Sequence, residues 1–271
     1  MQSLKTEHLQ IAYGSQLVIK DLSISLPQGK ITAIIGSNGC GKSTFLKAIS
    51  RIIPIQAGSV LLDGKEIRLQ STKILAQKMA ILPQIPEAVE GLTVGELVAC
   101  GRFPYQKGFG RMSKYDLDYV NWALESTGIA HLKHRDVEAL SGGQRQRVWI
   151  AMALAQETSI ILLDEPTTYL DLCHQLEIMQ LLEQLNRTEK KTIIMVLHDL
   201  NHAARFADYM IALKEGIVVK AGQPSEVMTT AVLAEVFSID AQIGKDPRTQ
   251  KPVCLTYDLL PEQVEQKQIS L

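Results

Sequence analysis

The chain has 271 residues with 28 Lys or Arg against 29 Asp or Glu, a net charge of −1 at pH 7, and its cations are scattered along the sequence. That balance lacks the basic face that nucleic-acid binding uses, and no apolar run is long enough to cross a bilayer. The start, Met1-Gln-Ser-Leu-Lys-Thr-Glu7, lacks the layout of a signal peptide, and Cys40, Cys100, Cys173 and Cys254 form no CxxC pair, so reduced thiols in the cytoplasm are expected, without a zinc site or a disulfide framework.

The length predicts one large domain or a core with a smaller appended lobe. Apolar segments at Leu9–Tyr13, Leu17–Ile19 and Leu22–Leu26, broken by Tyr13-Gly14 and Pro27-Gln-Gly29, predict short strands and turns. The buried-strand run Ile31–Ile35 follows, and directly after it stands Gly36-Ser37-Asn38-Gly39-Cys40-Gly41-Lys42-Ser43-Thr44. Glycines there let backbone N–H groups approach phosphate oxygens, and the helix expected from Phe45 onward aims its positive end at the same place. Lys42 supplies a point charge for β- and γ-phosphates, and Ser43 offers a hydroxyl to the Mg²⁺ that bridges them. Cys40 is either a reactive thiol, if nearby N–H dipoles lower its pKa, or a small filler.

Farther on, Gly58–Leu62, the Asp63-Gly64 turn and Lys65–Ile67 predict a hairpin, and Met79–Leu82 before Pro83 another strand. Between Thr93 and about Ala139 the apolar period becomes helical, which predicts an inserted helical subdomain, about residues 90–155 with the helix that starts at Ser141. Strand Ile160–Leu163, a helix near Leu172–Leu185, strand Thr192–Leu197 and a helix from Asp199 then alternate, the pattern of parallel strands joined by crossover helices. A hairpin (Tyr209–Leu213 with Gly216–Val219) and short helices near Pro224–Met228 and Ala231–Phe237 complete the chain before a polar tail over 261–271.

Three further segments carry chemistry. Strand Ile160–Leu163 ends in Asp164-Glu165, where open α/β sheets bind ligands, so Asp164 is placed to reach Mg²⁺ and Glu165 to orient and deprotonate a water. His198 follows the next strand and is placed to hydrogen-bond a γ-phosphate, whereas His8, His131, His134, His174 and His202 read as surface or packing residues. In Leu140-Ser141-Gly142-Gly143-Gln144, Ser141 is a good N-cap, but each glycine in a first helical turn costs roughly 1 kcal/mol against alanine. That cost implies close approach of something to the backbone, and the helix end is a second candidate anion site.

With these pieces in order, the chain resembles the ATP-binding cassette (ABC) ATPases, the motor subunits of membrane transporters. The resemblance spans nearly the whole chain. It implies that Tyr13 stacks on adenine, that Gly36–Thr44 is the Walker A loop, and that Gln84 contacts Mg²⁺ and the attacking water. It further implies that Leu140–Gln144 is the signature motif, Asp164 and Glu165 the Walker B pair, Tyr169-Leu170-Asp171 the loop that crosses a dimer interface, and His198 the switch histidine. The fold implied is an α/β P-loop NTPase core with a mainly parallel sheet, an N-terminal antiparallel β-subdomain and an inserted α-helical subdomain, together one ATPase domain over residues 1–260.

Within the superfamily, the strings Thr93–Gln106, Thr167–Leu176 and His198–Ala203 are similar to those of iron-siderophore import ATPases, with vitamin B12 and haem importers as relatives. The resemblance implies ATP and Mg²⁺ as cofactors and a homodimer with two ATPs, the signature of one subunit closing over the ATP of the other. It implies two transmembrane permease subunits, an extracellular or periplasmic substrate-binding protein, a position on the cytoplasmic face of the membrane and no nucleic-acid partner. Phe103, Pro104 and Tyr105 either meet the permease or pack inside the helical lobe. A soluble cassette acting as an ATP switch on nucleic acid or ribosomes, and an exporter ATPase, are the rival readings.

Overall fold

Alternating apolar residues at the start of the chain form two long antiparallel strands, β1 (Leu4–Tyr13) and β2 (Gln16–Leu26). The computed structural model describes residues 4–84, 90–106 and 112–260; the polar tail expected over 261–271 and the first three residues lie outside them. The segments 17–19 and 22–26, expected as separate strands, are one strand. Leu9 pairs with Leu22 and Ile11 with Ile19, a step of two residues facing a step of three, and all four side chains are buried. A β-bulge takes up the extra residue, so the chain needs no turn at Lys20-Asp21.

Strand β3 (Ile31–Gly36) leads through the glycine-rich loop into α1 (Lys42–Ile49), and then come β4 (Ala57–Leu62), β5 (Lys65–Glu66), α2 (Thr72–Ala76) and β6 (Met79–Leu82). Ile67, expected in the hairpin, instead begins a single 3-10 turn. The helical stretch comprises α3 (Val94–Ala99), a 3-10 turn at Cys100–Tyr105, α4 (Lys114–Ser126) and α5 (Gly142–Ala155). Then follow β7 (Ile160–Asp164), α6 (Leu172–Glu189), β8 (Thr192–Val196), α7 (Leu200–Phe206), β9 (Tyr209–Lys214), β10 (Ile217–Gly222), α8 (Pro224–Val227) and α9 (Thr230–Phe237). A closing hairpin, β11 (Ile239–Lys245) with β12 (Pro252–Leu259), was not expected from the sequence, nor was α2.

Among the described residues, β10-β9-β3-β8-β7-β6 form one sheet, parallel except for β10, and β2-β1-β4-β5 form an antiparallel sheet. The parallel strands are buried on both faces, hence their nearly unbroken runs of Ile, Leu and Val. In β3, β7 and β8, odd and even positions divide cleanly between two cores. Ala33, Ile35, Ile161, Leu163, Ile193 and Met195 face a cluster shared with α3 to α7, whereas Ile34, Ile160, Leu162, Ile194 and Val196 face α1 and the antiparallel sheet. Register then sets what lies at the top of the sheet: Ile34 and Asp164 both stand level with Val196, and Leu82 stands level with Leu163. Gly36, Gln84, Glu165 and His198, each one or two residues past those levels, therefore emerge side by side at the carboxyl ends of the strands.

One buried charge ties the helical stretch together. Arg102, fully buried, donates from Nε to Asp116 Oδ1 at 2.9 Å and from Nη1 to the Ala155 carbonyl at 2.8 Å and Glu157 Oε2 at 2.9 Å. Its guanidinium lies 4.1 Å from the Tyr105 ring centre and 4.9 Å from that of Tyr119. Of the three residues left open by the sequence, Tyr105 packs here and donates its hydroxyl to Gln156, Pro104 accepts from Gln77 Nε2, and Phe103 is 63% exposed. Among the described residues no helix is long and apolar enough to cross a membrane.

Candidate functional site

The loop after β3 takes its shape from glycine. A Cβ on Gly36 would stand 2.3 Å from the Leu213 carbonyl oxygen and 2.7 Å from Cys40 Sγ, and Gly41, the N-cap of α1, has φ +104°. No side chain caps α1, so its first-turn N–H groups are left to face the loop, the geometry of an anion site. Lys42, buried, folds over the loop and donates from Nζ to the carbonyls of Gly36 at 2.8 Å and Ser37 at 3.0 Å, which leaves its third N–H for a phosphate oxygen. Cys40 is buried beneath the loop, and burial pushes its thiol up despite the nearby Lys42 charge. Burial favours the filler reading of Cys40 over the reactive one.

The two halves of the site meet at Ser43, whose Oγ donates to Asp164 Oδ1 at 2.8 Å. Burial raises the Asp164 carboxyl, and the charge of Glu165 raises it further, against the pull of Ser43, Lys47 and Lys42. A buried carboxylate that costs free energy to ionise, beside a hydroxyl, is a donor pair suited to a hard cation such as Mg²⁺. Glu165 follows the strand with φ +53°, in the left-handed region. Three donors converge on its carboxylate: Gln84 Nε2 on Oε2, His198 Nε2 at 2.5 Å from Oε1, and Thr168 Oγ1 at 3.0 Å from Oε2. Thr168 escaped the sequence reading, although a hydroxyl three residues past a left-handed turn residue is placed to reach back to it.

A cleft of about 340 Å³ is lined by Asn38, Gly39, Gly41, Lys42, Ser43, Thr44, Gln84, Glu165 and His198. These sequence-derived candidates come together. Others stand apart: Tyr13, half exposed at the end of β1, does not line the cleft, and neither do Ser141–Gln144 or Asp171. Ser141 forms a reciprocal cap with Gln144 at the start of α5, its Oγ accepting from Gln144 N at 3.3 Å while Gln144 Oε1 accepts from Ser141 N at 3.2 Å. Asp171 caps α6, accepting from His174 N at 2.9 Å and holding the His174 ring, Nδ1 at 2.8 Å. Those bonds keep the Asp171 carboxyl below the usual range. A Cβ on Gly142 would stand 3.7 Å from Leu170 Cδ2, so the candidate second anion site lies next to the loop that ends at Asp171, and neither lines the cleft of the same chain.

A cleft with a phosphate loop, a cation pair and a triply held carboxylate can bind a nucleoside triphosphate and direct water at its terminal phosphate. Comparison with known proteins agrees. The ABC transporter family model matches residues 19–168. The iron(3+)-hydroxamate import ATP-binding protein FhuC of Bacillus subtilis (strain 168) is 63% identical over 265 residues, 98% of each chain. The achromobactin transport ATP-binding protein CbrD of Dickeya dadantii (strain 3937) is 50% identical over 257 residues, 95% of this chain and 96% of that one. A dimeric post-hydrolysis structure of the ATP-binding cassette MJ0796, bound to ADP and Pi, superposes with a TM-score of 0.71 at 32% identity, covering 81% of this chain and 98% of that chain.

Proposed function

The chain belongs to the ABC transporter family, and from that premise we propose that it is the ATP-hydrolysing subunit of an importer for iron-siderophore complexes, working as a homodimer beneath separate transmembrane permease subunits. The observation that carries the catalytic part is the convergence of Gln84, His198 and Thr168 on Glu165, beside the Lys42 loop and the Ser43–Asp164 pair. The substrate class rests on the 63% identity to an iron(3+)-hydroxamate import ATP-binding protein along essentially the full length of both chains.

In this reading Lys42 and the uncapped start of α1 hold the β- and γ-phosphates, and Tyr13 stacks on adenine. Ser43, Asp164 and Gln84 would hold Mg²⁺, which when bound neutralises charge on the phosphate oxygens. Glu165 takes a proton from water as the water oxygen attacks the γ-phosphorus, the bond to the bridging oxygen breaks, and ADP and phosphate leave. His198 hydrogen-bonds the γ-phosphate and, with Gln84 and Thr168, sets the direction of the Glu165 carboxylate. Preorganised donors of this kind act where charge develops and need no rearrangement at the moment of reaction. In this reading Ser141–Gln144 and Asp171, which do not line the cleft of their own chain, close over the ATP of a second copy. Hydrolysis reopens the pair, and the permease changes its access with it. An extracellular or periplasmic binding protein delivers the substrate, and the ATPase sits on the cytoplasmic face.

The test is an ATP-dependent pull-down of tagged Glu165→Gln from detergent-solubilised membranes of the native host, followed by mass spectrometry. A polytopic membrane protein retained with ATP and released without it is the expected result. Recovery of ribosomal or DNA-bound proteins in its place would overturn the transporter assignment.

A further inference from the structure

His174, which reads from the sequence as a surface or packing residue, lies between the signature end of α5 and the loop that ends at Asp171. Its backbone N–H and its ring Nδ1 both bond Asp171, at 2.9 Å and 2.8 Å; the ionised carboxylate only accepts, so the ring donates through Nδ1. The other edge of the same ring lies on the first turn of α5. A Cβ built on Gly143 would stand 2.5 Å from His174 Cδ2, 3.0 Å from Cγ and 3.2 Å from Nε2. Gly143 φ is not in the left-handed region, so backbone freedom does not account for glycine there, whereas the ring does. One turn on, Arg147 Nη2 meets Glu177 Oε2 at 2.9 Å, a second tie between α5 and α6. The loop that ends at Asp171 begins at Glu165, and Thr168 bonds the Glu165 carboxylate within it.

We infer that His174 is a positioning residue that locks the signature end of α5 and the Asp171 loop of one chain into a single unit. The ring cannot swing off Gly143 without breaking its bond to Asp171, so the two motifs move together. This inference rests on the proposed dimer for its consequence: an ATP touched by the signature of a chain reports, through His174 and the 165–171 loop, on the hydrolytic site that the same chain builds.

Two experiments on the full chain separate the inference from that reading. The first is a stability cycle that needs no dimer. Gly143→Ala lowers the melting temperature in the parent chain and lowers it far less in the His174→Ala background. An equal loss in both backgrounds would show that the ring is not what excludes a side chain, and would overturn the inference. The second measures ATP-driven dimerisation in the Glu165→Gln background by sedimentation, beside fluorescent-ATP binding to the monomer. His174→Phe keeps a ring on Gly143 but loses the Asp171 bond, and raises the ATP concentration for half-dimerisation about tenfold, the weight of one hydrogen bond to a charged group. Monomer ATP affinity stays unchanged. His174→Asn keeps a donor at the Nδ1 position and restores the parent value. An unshifted His174→Phe, or equal shifts for Phe and Asn, would contradict the positioning role. If Glu165→Gln itself stays monomeric with ATP, the proposed dimer fails, and the stability cycle still decides the contact.

Discussion

Ser43 Oγ donates a 2.8 Å hydrogen bond to Asp164 Oδ1, joining the first turn of α1 to the end of β7 across 121 residues of sequence. Strand register explains it: even positions of β7 face α1, and Asp164 is the last of them. Ionising that buried carboxylate costs the fold free energy that a bound cation offsets.

Asp164→Asn separates these two effects. Asparagine keeps the size and an oxygen for Ser43 but carries no charge. The Mg²⁺ concentration for half-maximal ATP turnover is expected to rise on the order of 10–100-fold, as for lost metal-site groups. Without nucleotide, the same variant melts higher than the parent at pH 7. The sign follows from burial, which raises the folded-state carboxyl above its unfolded value. The folded chain then binds more protons than the unfolded chain from about pH 4 upward, so parent stability falls as pH rises through that window. The advantage of asparagine disappears below about pH 4, where both states of the parent are protonated. A variant that melts lower than the parent at pH 7, with unaltered Mg²⁺ demand, would contradict the assignment.

Arg102→Met tests the buried network. The substitution leaves Asp116, Glu157 and the Ala155 carbonyl without their shared donor, which costs about 3–5 kcal/mol by analogy with broken buried pairs. For a chain of this size that is a fall in melting temperature of about 10 °C. The Ser113 hydroxyl and Arg102 hold the Asp116 carboxyl below the ordinary range against the effect of burial. Burial opposes the lowering at Glu157 too, but donation from Tyr115, Arg102 and Tyr119 outweighs it. Both carboxylates thus contribute stability that is complete above about pH 5 and is lost as pH falls through their lowered values. Melting curves from pH 7 to pH 3 should show a shallower acid loss in Arg102→Met than in the parent. Equal melting temperatures at pH 7 would rule the network out as a tie.

Thiol labelling distinguishes the two readings of Cys40. Cys40 is buried and its thiol is raised by burial, whereas Cys173 is exposed. A maleimide at pH 7 followed by peptide mass spectrometry should modify Cys173 within minutes and Cys40 only after denaturation. Comparable rates at both cysteines in the folded chain would mean that the loop opens far more readily than its packing implies.

Much of the site is legible in the sequence because its chemistry is local. Gly36 to Thr44 is a contiguous loop, Asp164-Glu165 ends an unmistakably buried strand, and His198 follows another; alternation places all of them at strand ends. What stays hidden depends on distant partners. Arg102 meets Asp116 14 residues away and Glu157 55 away, so no local pattern marks it as buried. Likewise, the ring that excludes a side chain at Gly143 belongs to His174, on another helix. The β11–β12 hairpin is hard to read because its strands carry few buried apolar residues and its long turn, Asp246–Gln250, has no Asn-Gly or Asp-Gly pair. The bulge in β2 requires knowing that Ile19 and Leu22 both point inward.

The most direct test of Glu165 as the base is ATP turnover by Glu165→Gln beside the wild-type chain, with ATP affinity measured on both. Glutamine keeps the shape that Gln84, His198 and Thr168 grip but cannot accept the water proton. Turnover should fall on the order of a hundredfold or more, the weight of a general base, with ATP binding retained and ATP-loaded chains sedimenting as dimers. Hydrolysis at the wild-type rate would remove Glu165 from the chemistry and contradict the mechanism.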